Sequence, residues 1–160
     1  MADRPAEMYT AGREALQVFE PKEIFYYRVH PSTVSTDDTV DPAHVQCPDL
    51  SSNRGKFSQP YYVLYPRKEY GNHAVFKFVL EELLPTVSSP DASGGTPVVY
   101  DVRTIHDPED DNDGHCETGI YRDTQHMRSN KIGHGAKKVF REHMSRILEL
   151  ERPSGVPFPP

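Results

Sequence analysis

Fifteen prolines in 160 residues divide this chain into short segments, and they limit its possible folds more than any other feature. Proline lacks a backbone N–H and fixes φ, so it ends helices and is excluded from the centres of sheets. Turns and irregular segments should therefore be frequent. The length corresponds to about one domain. Hydrophobic residues make up 36% of the chain, which is enough for a modest core.

Between the prolines, several stretches have the β-branched and aromatic composition of strands. They are IFYYRVH (24–30), YYVLY (61–65), HAVFKFVL (73–80), PVVYDVRTI (97–105) and HCETGIY (115–121). Side chains alternate between the two faces of a strand, so Phe25, Tyr27 and Val29 should share the face that meets the core.

One stretch near the C-terminus has a helical period. In AKKVFREHMSRILEL (136–150), Phe140, Met144, Ile147 and Leu148 form an apolar stripe, and charged residues occupy the other side. These patterns predict an α+β fold, with a mainly antiparallel sheet of about five strands and the C-terminal amphipathic helix packed on one face.

The predicted domain organisation is simple. Residues 1–20 form an N-terminal arm in which AGREALQVF (11–19) has weak helical character, and residues 21–152 form a single α+β domain. Residues 153–160 are expected to be a mobile tail. Residues 31–60 show no sustained period, which is typical of a long loop. Residues 86–95 read as a flexible surface connection because they are rich in Ser, Gly and Pro.

The charge and the apolar segments restrict the classes of function. A net charge of −6 argues against general attraction to nucleic acid or to an anionic membrane. A local basic patch is still compatible with it, since seven Lys or Arg residues occur between Arg122 and Arg146. No apolar run reaches the length a bilayer requires, and the N-terminus lacks a signal-peptide apolar region. A cytoplasmic protein with two free thiols is the expectation.

The segment HDPEDDNDGHCE (106–117) concentrates six carboxylates and two histidines in twelve positions. If a strand begins at His115, then His115 and Glu117 point to the same face and can act as acid/base groups or ligands. His106 and Asp107 close the segment from its other end, and together these groups suit a divalent metal. A solvated acidic loop is the alternative. An EF-hand is rejected because Ile120 stands where its bidentate glutamate belongs.

Two further segments have anion-binding chemistry. In YRVHP, Arg28 and His30 share one strand face, and they offer a fork of donors and a group that exchanges a proton near neutral pH. In SSNRGKFS (51–58), Ser52 and Arg54 supply a hydroxyl and a cation beside a glycine. An ordinary strand edge and an ordinary turn are the alternatives for these two segments.

The order of these segments resembles that of a loosely defined group of small, uncharacterised bacterial proteins. Their pattern is Arg-x-His-Pro, then Ser-x-Asn/Asp, then Asp-Pro followed by Asn-x-x-His, and the resemblance covers roughly residues 24–121. It implies a bacterial origin and one unit for these polar segments, with no activity to transfer. A fainter similarity is to ADP-ribosyltransferase-like folds, onto whose order Arg28 or His30, Ser52 and Glu117 can be laid.

The functional prediction is an enzyme that acts on a phosphate-containing substrate, either a nucleotide or nucleic acid. Arg28, Ser52 and Arg54 are predicted to bind the substrate, and His115 or Glu117 to move the proton with help from His30. No cofactor is assigned, and a divalent metal at His106 and Asp107 is an alternative. The competing hypothesis is a non-catalytic interaction module with a protein partner in a multi-protein bacterial system.

Overall fold

The computed structural model describes residues 4–65, 67–90 and 95–156. These ranges contain one α-helix, α1 (His134–Ile147), and several short 3-10 helices. The strands are β1 (Ile24–Val29), β2 (Leu50–Arg54), β3 (Ala74–Val79), β4 (Thr86–Ser89), β5 (Val98–His106), β6 (His115–Arg122), β7 (Gln125–His126) and β8 (Glu149–Arg152). No helix in the described ranges has the length and apolar character that crossing a bilayer requires.

The strands form one antiparallel sheet in the order β4-β5-β6-β2-β1-β3-β8, and β7 pairs with the end of β6. The α+β class is confirmed, although the sheet has eight strands rather than about five. The additional strands are short. β2 lies inside the segment read as a long loop, β4 inside the segment read as a flexible connection, and β8 directly after α1.

Two local predictions were wrong. YYVLY forms most of the 3-10 helix Pro60–Leu64 instead of a strand. Residues 10–20, all of which the structure describes, contain no helix. The backbone of this arm bonds to distant residues instead, since the Leu16 N–H donates to His106 and the Leu16 carbonyl accepts from Arg54. Of the predicted tail, residues 157–160 lie outside the described residues.

The core lies on one face of the sheet, beneath α1. Phe25, Tyr27 and Val29 of β1 are buried there, as the alternation predicted. Phe140 and Met144 of α1 belong to the same cluster. Burial of this apolar stripe, rather than helix propensity alone, accounts for the stability of a helix of this length.

The opposite face of the sheet is polar near its centre. Asn53 of β2 pairs with His115 of β6, and Ser51 pairs with Glu117. Residues paired directly across an antiparallel ladder share a face, so these four side chains lie together. The 3-10 helix Pro60–Leu64 covers part of this face and contacts β1, β2 and β3.

Candidate active site

A cleft of about 250 Å³ opens on this polar face of the sheet. Strands β1, β2 and β6 contribute to its lining, together with residues of the acidic segment (residues 106–117). The chain around the two 3-10 helices Pro60–Leu64 and Lys68–Asn72 completes the lining. The polar side chains that matter most for its chemistry are Arg28, Gln46, Ser51, Arg67, Tyr70 and His115.

Ser51 and His115 form a hydrogen-bonded pair in the cleft. Ser51 Oγ lies 3.0 Å from His115 Nε2, and the other ring nitrogen, Nδ1, lies 2.8 Å from the backbone carbonyl oxygen of Asp107. A carbonyl oxygen can only accept, so Nδ1 carries the hydrogen. In the neutral ring, Nε2 therefore has a free lone pair and accepts from the Ser51 hydroxyl. A serine and a base oriented by a third group are the arrangement that activates a nucleophile.

Three carboxylates surround the His115 ring without hydrogen bonding to it. Glu109 Oε1 is 3.7 Å and Asp107 Oδ2 is 3.9 Å from Nδ1, while Glu117 Oε1 is 4.0 Å from Nε2. The carboxylates are exposed, whereas the His115 side chain is only 10% exposed. Negative charge therefore lies close to both nitrogens of the His115 ring.

Two arginines give the cleft a positive side. Arg28 donates from Nη1 to the Val63 carbonyl at 3.2 Å, and its guanidinium carbon lies 3.4 Å from the centre of the Tyr70 ring. Arg67 approaches the same ring at 5.9 Å. Burial lowers the pKa of Arg28 below its ordinary value, and the guanidinium stays charged at neutral pH. Stacking on Tyr70 holds the guanidinium group in place.

The floor of the cleft is a rigid amide network. Asn112 donates from Nδ2 to Asn53 Oδ1 at 2.8 Å, and Asn53 donates from Nδ2 to Ser58 Oγ at 3.2 Å. Both asparagines are buried. A satisfied network of this kind keeps β2 and the acidic segment in a single arrangement, and that arrangement also places Ser51 against His115.

The structure brings together part of the predicted site. Arg28 and His115 line one cleft, with the Glu117 carboxylate 4.0 Å from the histidine ring. Asp107 contributes its backbone carbonyl to His115. These residues come from β1, β6 and the acidic segment.

Two other predicted residues, His30 and Arg54, lie elsewhere, so a cleft built around His30, Arg54 and His115 does not form. His30 is exposed and caps the 3-10 helix Pro31–Thr33, where its Nδ1 accepts from the Ser32 N–H at 3.1 Å. Ser52 pairs with Cys116, so its side chain points to the face opposite Ser51, although the residue borders the cleft.

Arg54 is fully buried on the core side of the sheet. Its Nε and Nη2 donate to the Glu23 carboxylate at 2.5 and 2.7 Å, and its Nη1 and Nη2 donate to the carbonyls of Leu16 and Val18 at 2.8 and 2.6 Å. The guanidinium also lies 4.2 Å from the centre of the Phe19 ring. Arg54 is therefore the anchor of the N-terminal arm rather than a substrate-binding residue.

His106, predicted as a metal ligand, has both ring nitrogens engaged within the fold. Nδ1 accepts from the Leu16 N–H at 2.9 Å, and Nε2 donates to the Asp113 carbonyl at 2.6 Å. The ring stacks on Phe57 with centroids 5.1 Å apart. Within residues 4–65, 67–90 and 95–156, no three His, Cys, Asp or Glu side chains are arranged to hold a metal ion. The metal alternative therefore has no geometric support at His106 and Asp107.

The sequence pattern did not indicate Gln46, Arg67 or Tyr70, and of the two adjacent serines Ser52 was predicted instead of Ser51. Ser51 was distinguishable from Ser52 only through the register between β2 and β6, because a shift of one residue exchanges the faces of the two serines. Arg67 and Tyr70 approach the cleft because the chain between β2 and β3 crosses over the sheet, and no local pattern signalled this crossing.

The fold and the cleft define a class: an α+β protein with a serine–histidine pair and two arginines on the sheet face opposite its helix. Comparison with known protein families, curated proteins and solved structures gives no match. The geometry of the cleft is therefore the basis for assigning a function to this protein.

Proposed function

We propose that this protein is an enzyme that hydrolyses a small phosphate ester through a covalent phosphoserine at Ser51. The observation that carries the proposal is the 3.0 Å contact between Ser51 Oγ and His115 Nε2 in a cleft that also contains two arginines. A hydroxyl with a base on one side and cations nearby suits attack on an anionic centre.

In the first step, Ser51 Oγ attacks phosphorus and its proton passes to His115 Nε2. The bond from phosphorus to the leaving oxygen breaks, and the leaving alcohol takes the proton from the imidazolium. In the second step, water gives a proton to the neutral His115 and attacks the phosphoserine. The bond from Ser51 Oγ to phosphorus then breaks, Ser51 recovers a proton from His115, and inorganic phosphate or a phosphate monoester leaves.

The charge distribution favours a small substrate over nucleic acid. Arg28 and Arg67 supply cations within the cleft, but Asp107, Glu109 and Glu117 lie exposed around His115. These carboxylates, together with a net charge of −6, repel a polyanion that extends beyond the cleft. A nucleotide or a sugar phosphate fits both features, with Arg28 and Arg67 binding its phosphate oxygens.

The test is hydrolysis of p-nitrophenyl phosphate, bis-p-nitrophenyl phosphate and a panel of nucleotides, with p-nitrophenyl acetate as the acyl-transfer comparison. Ser51→Ala and His115→Asn should each lower kcat by about 10²- to 10⁴-fold. Ser52→Ala is the matched control, since it removes a hydroxyl from the next residue of the same strand but from the opposite face. Equal activity of Ser51→Ala and the unaltered protein would contradict the proposal.

A non-catalytic anion-binding module is the second candidate. It is favoured by one observation: Arg28 is held by Val63 and Tyr70 and does not depend on the Ser51–His115 pair. Calorimetric binding of nucleotides that Arg28→Ala abolishes, without turnover of any substrate in the panel, would support this candidate over the enzyme.

A further inference from the structure

Gln46 lies beside Ser51, and both ends of the residue are held in place. Its side-chain Oε1 accepts from the Ser51 backbone N–H at 3.2 Å, and its own backbone N–H donates to the Tyr27 hydroxyl at 3.3 Å. The Ser51 N–H can only donate, so the side-chain atom that faces it must be the oxygen. The amide orientation of Gln46 is therefore determined by chemistry.

The hydrogen bond from the Ser51 N–H to Gln46 Oε1 limits which groups can stabilise the negative charge that develops when Ser51 attacks. Many serine enzymes stabilise the developing oxyanion with backbone N–H groups, among them that of the nucleophile itself. The Ser51 N–H is engaged by Gln46 Oε1. A hydrogen-bond donor to the developing oxyanion must therefore come from another group in the cleft.

The other amides in the cleft are already used for the floor. Asn112 Nδ2 donates to Asn53 Oδ1, and Asn53 Nδ2 donates to Ser58 Oγ. Gln46 lines the same cleft, and in the described part of the chain its Nε2 makes no hydrogen bond. Since Nε2 and Oε1 are bonded to one carbon, the amide that accepts from the Ser51 N–H also carries two N–H groups close to Ser51.

We propose that Gln46 is a catalytic residue whose Nε2 donates to a non-bridging phosphate oxygen as Ser51 attacks. This inference rests on the proposed function, because it assumes that Ser51 is the nucleophile. It assigns a role that neither the Ser51–His115 pair nor the arginines perform, namely a neutral donor placed next to the attacking oxygen. One such donor is typically worth about 10²- to 10³-fold in kcat.

The decisive variant is Gln46→Glu. A carboxylate oxygen can still accept from the Ser51 N–H, so a purely structural role survives, whereas the donor is replaced by a negatively charged acceptor. Gln46→Ala removes both functions. Gln125→Glu introduces the same charge at an exposed position in β7, outside the cleft lining, and controls for the change in net charge.

The readout is the second-order rate at which a fluorophosphonate probe labels Ser51, located by peptide mass spectrometry. In this reaction Ser51 Oγ bonds to phosphorus, fluoride leaves, and His115 takes the serine proton. We expect labelling of the unaltered protein and of Gln125→Glu at equal rates. Gln46→Glu should label at least about 10²-fold more slowly at neutral pH, because a charged acceptor has replaced the donor.

The outcomes separate the two proposals. Suppose that Ser51 is labelled, that Gln46→Glu reacts at the rate of the unaltered protein and that Gln46→Ala reacts slowly. Gln46 then only positions Ser51, and the inference about its Nε2 is overturned. The assignment of Ser51 as the nucleophile is unaffected by this result. If the unaltered protein shows no label on Ser51, the proposed function and the inference fail together. Urea unfolding of each variant shows whether a slow rate comes from loss of the fold.

Discussion

The buried ion pair between Arg54 and Glu23 leads to the most quantitative prediction, for the substitution Glu23→Gln. Arg54 is fully buried and the Glu23 side chain is 13% exposed, so removing the carboxylate charge leaves a buried guanidinium without its counter-ion. Such a loss typically costs about 3 to 5 kcal/mol. We expect the lower end, about 3 kcal/mol, because the amide oxygen still accepts one N–H and the carbonyls of Leu16 and Val18 remain.

Equilibrium urea unfolding followed by far-UV circular dichroism measures this loss, since the chain has no tryptophan. The double variant Glu23→Gln with Arg54→Met is the control. It removes the second charge and should lose less stability than Glu23→Gln alone, because no buried charge is left unpaired. A loss below about 1 kcal/mol for Glu23→Gln would mean that the Arg54–Glu23 pair contributes no more than an exposed ion pair does.

The same pair gives a pH dependence with a defined sign. Hydrogen bonding to Arg54 holds the pKa of Glu23 below its ordinary value of 4.5. The unfolded chain therefore binds the proton at higher pH than the folded protein does. The stabilisation is complete above pH 4.5 and is lost as the pH falls through the lowered pKa of the folded state. The stability difference between the unaltered protein and Glu23→Gln should be constant from neutral pH to about pH 6 and shrink in acid.

Three further predictions concern residues outside the cleft or at its margin. Gly133→Ala should destabilise the protein by about 1 to 3 kcal/mol, because the added Cβ lies 2.6 Å from Ser89 Cβ, and Ser89→Gly should restore part of the loss in urea unfolding. Burial raises the pKa of Cys116 to about 12. In a Cys47→Ser variant this thiol should therefore react with a disulfide reagent at pH 8 only after denaturant is added, and rapid labelling of the folded protein would contradict this prediction. Burial also lowers the pKa of His73 below 6.5, so stability should decrease as the pH falls from that value, and His73→Phe should show a smaller acid loss in melting experiments.

The periodic patterns within single segments were sufficient to predict much of the fold. The alternation in IFYYRVH correctly placed Phe25, Tyr27 and Val29 in the core, and the helical stripe correctly placed Phe140 and Met144 against it. These predictions succeed because periods of two and of 3.6 residues are properties of a single segment. Strand β2 escaped prediction because LSSNR has no apolar alternation, and its place in the sheet depends on pairing with β1 and β6.

The candidate site was only partly predictable for the same reason. Arg28, His115 and Glu117 were recognised as polar groups on strand faces, and all three lie at or beside the cleft. Arg54 was misread because its counter-ion, Glu23, is 31 residues away in the chain, and nothing in SSNRGKFS indicates that the arginine is buried.

The sequence alone therefore determined the element types of β1, β3, β5, β6 and α1, the core face of β1 and of α1, and the presence of anion-binding and proton-exchanging groups. Tertiary structure decided which of these groups meet. The register between β2 and β6 turns Ser51, not Ser52, toward His115, and the crossing between β2 and β3 brings Arg67 and Tyr70 to Arg28. Register and crossing are set by packing between distant segments, and a local pattern carries no information about such contacts.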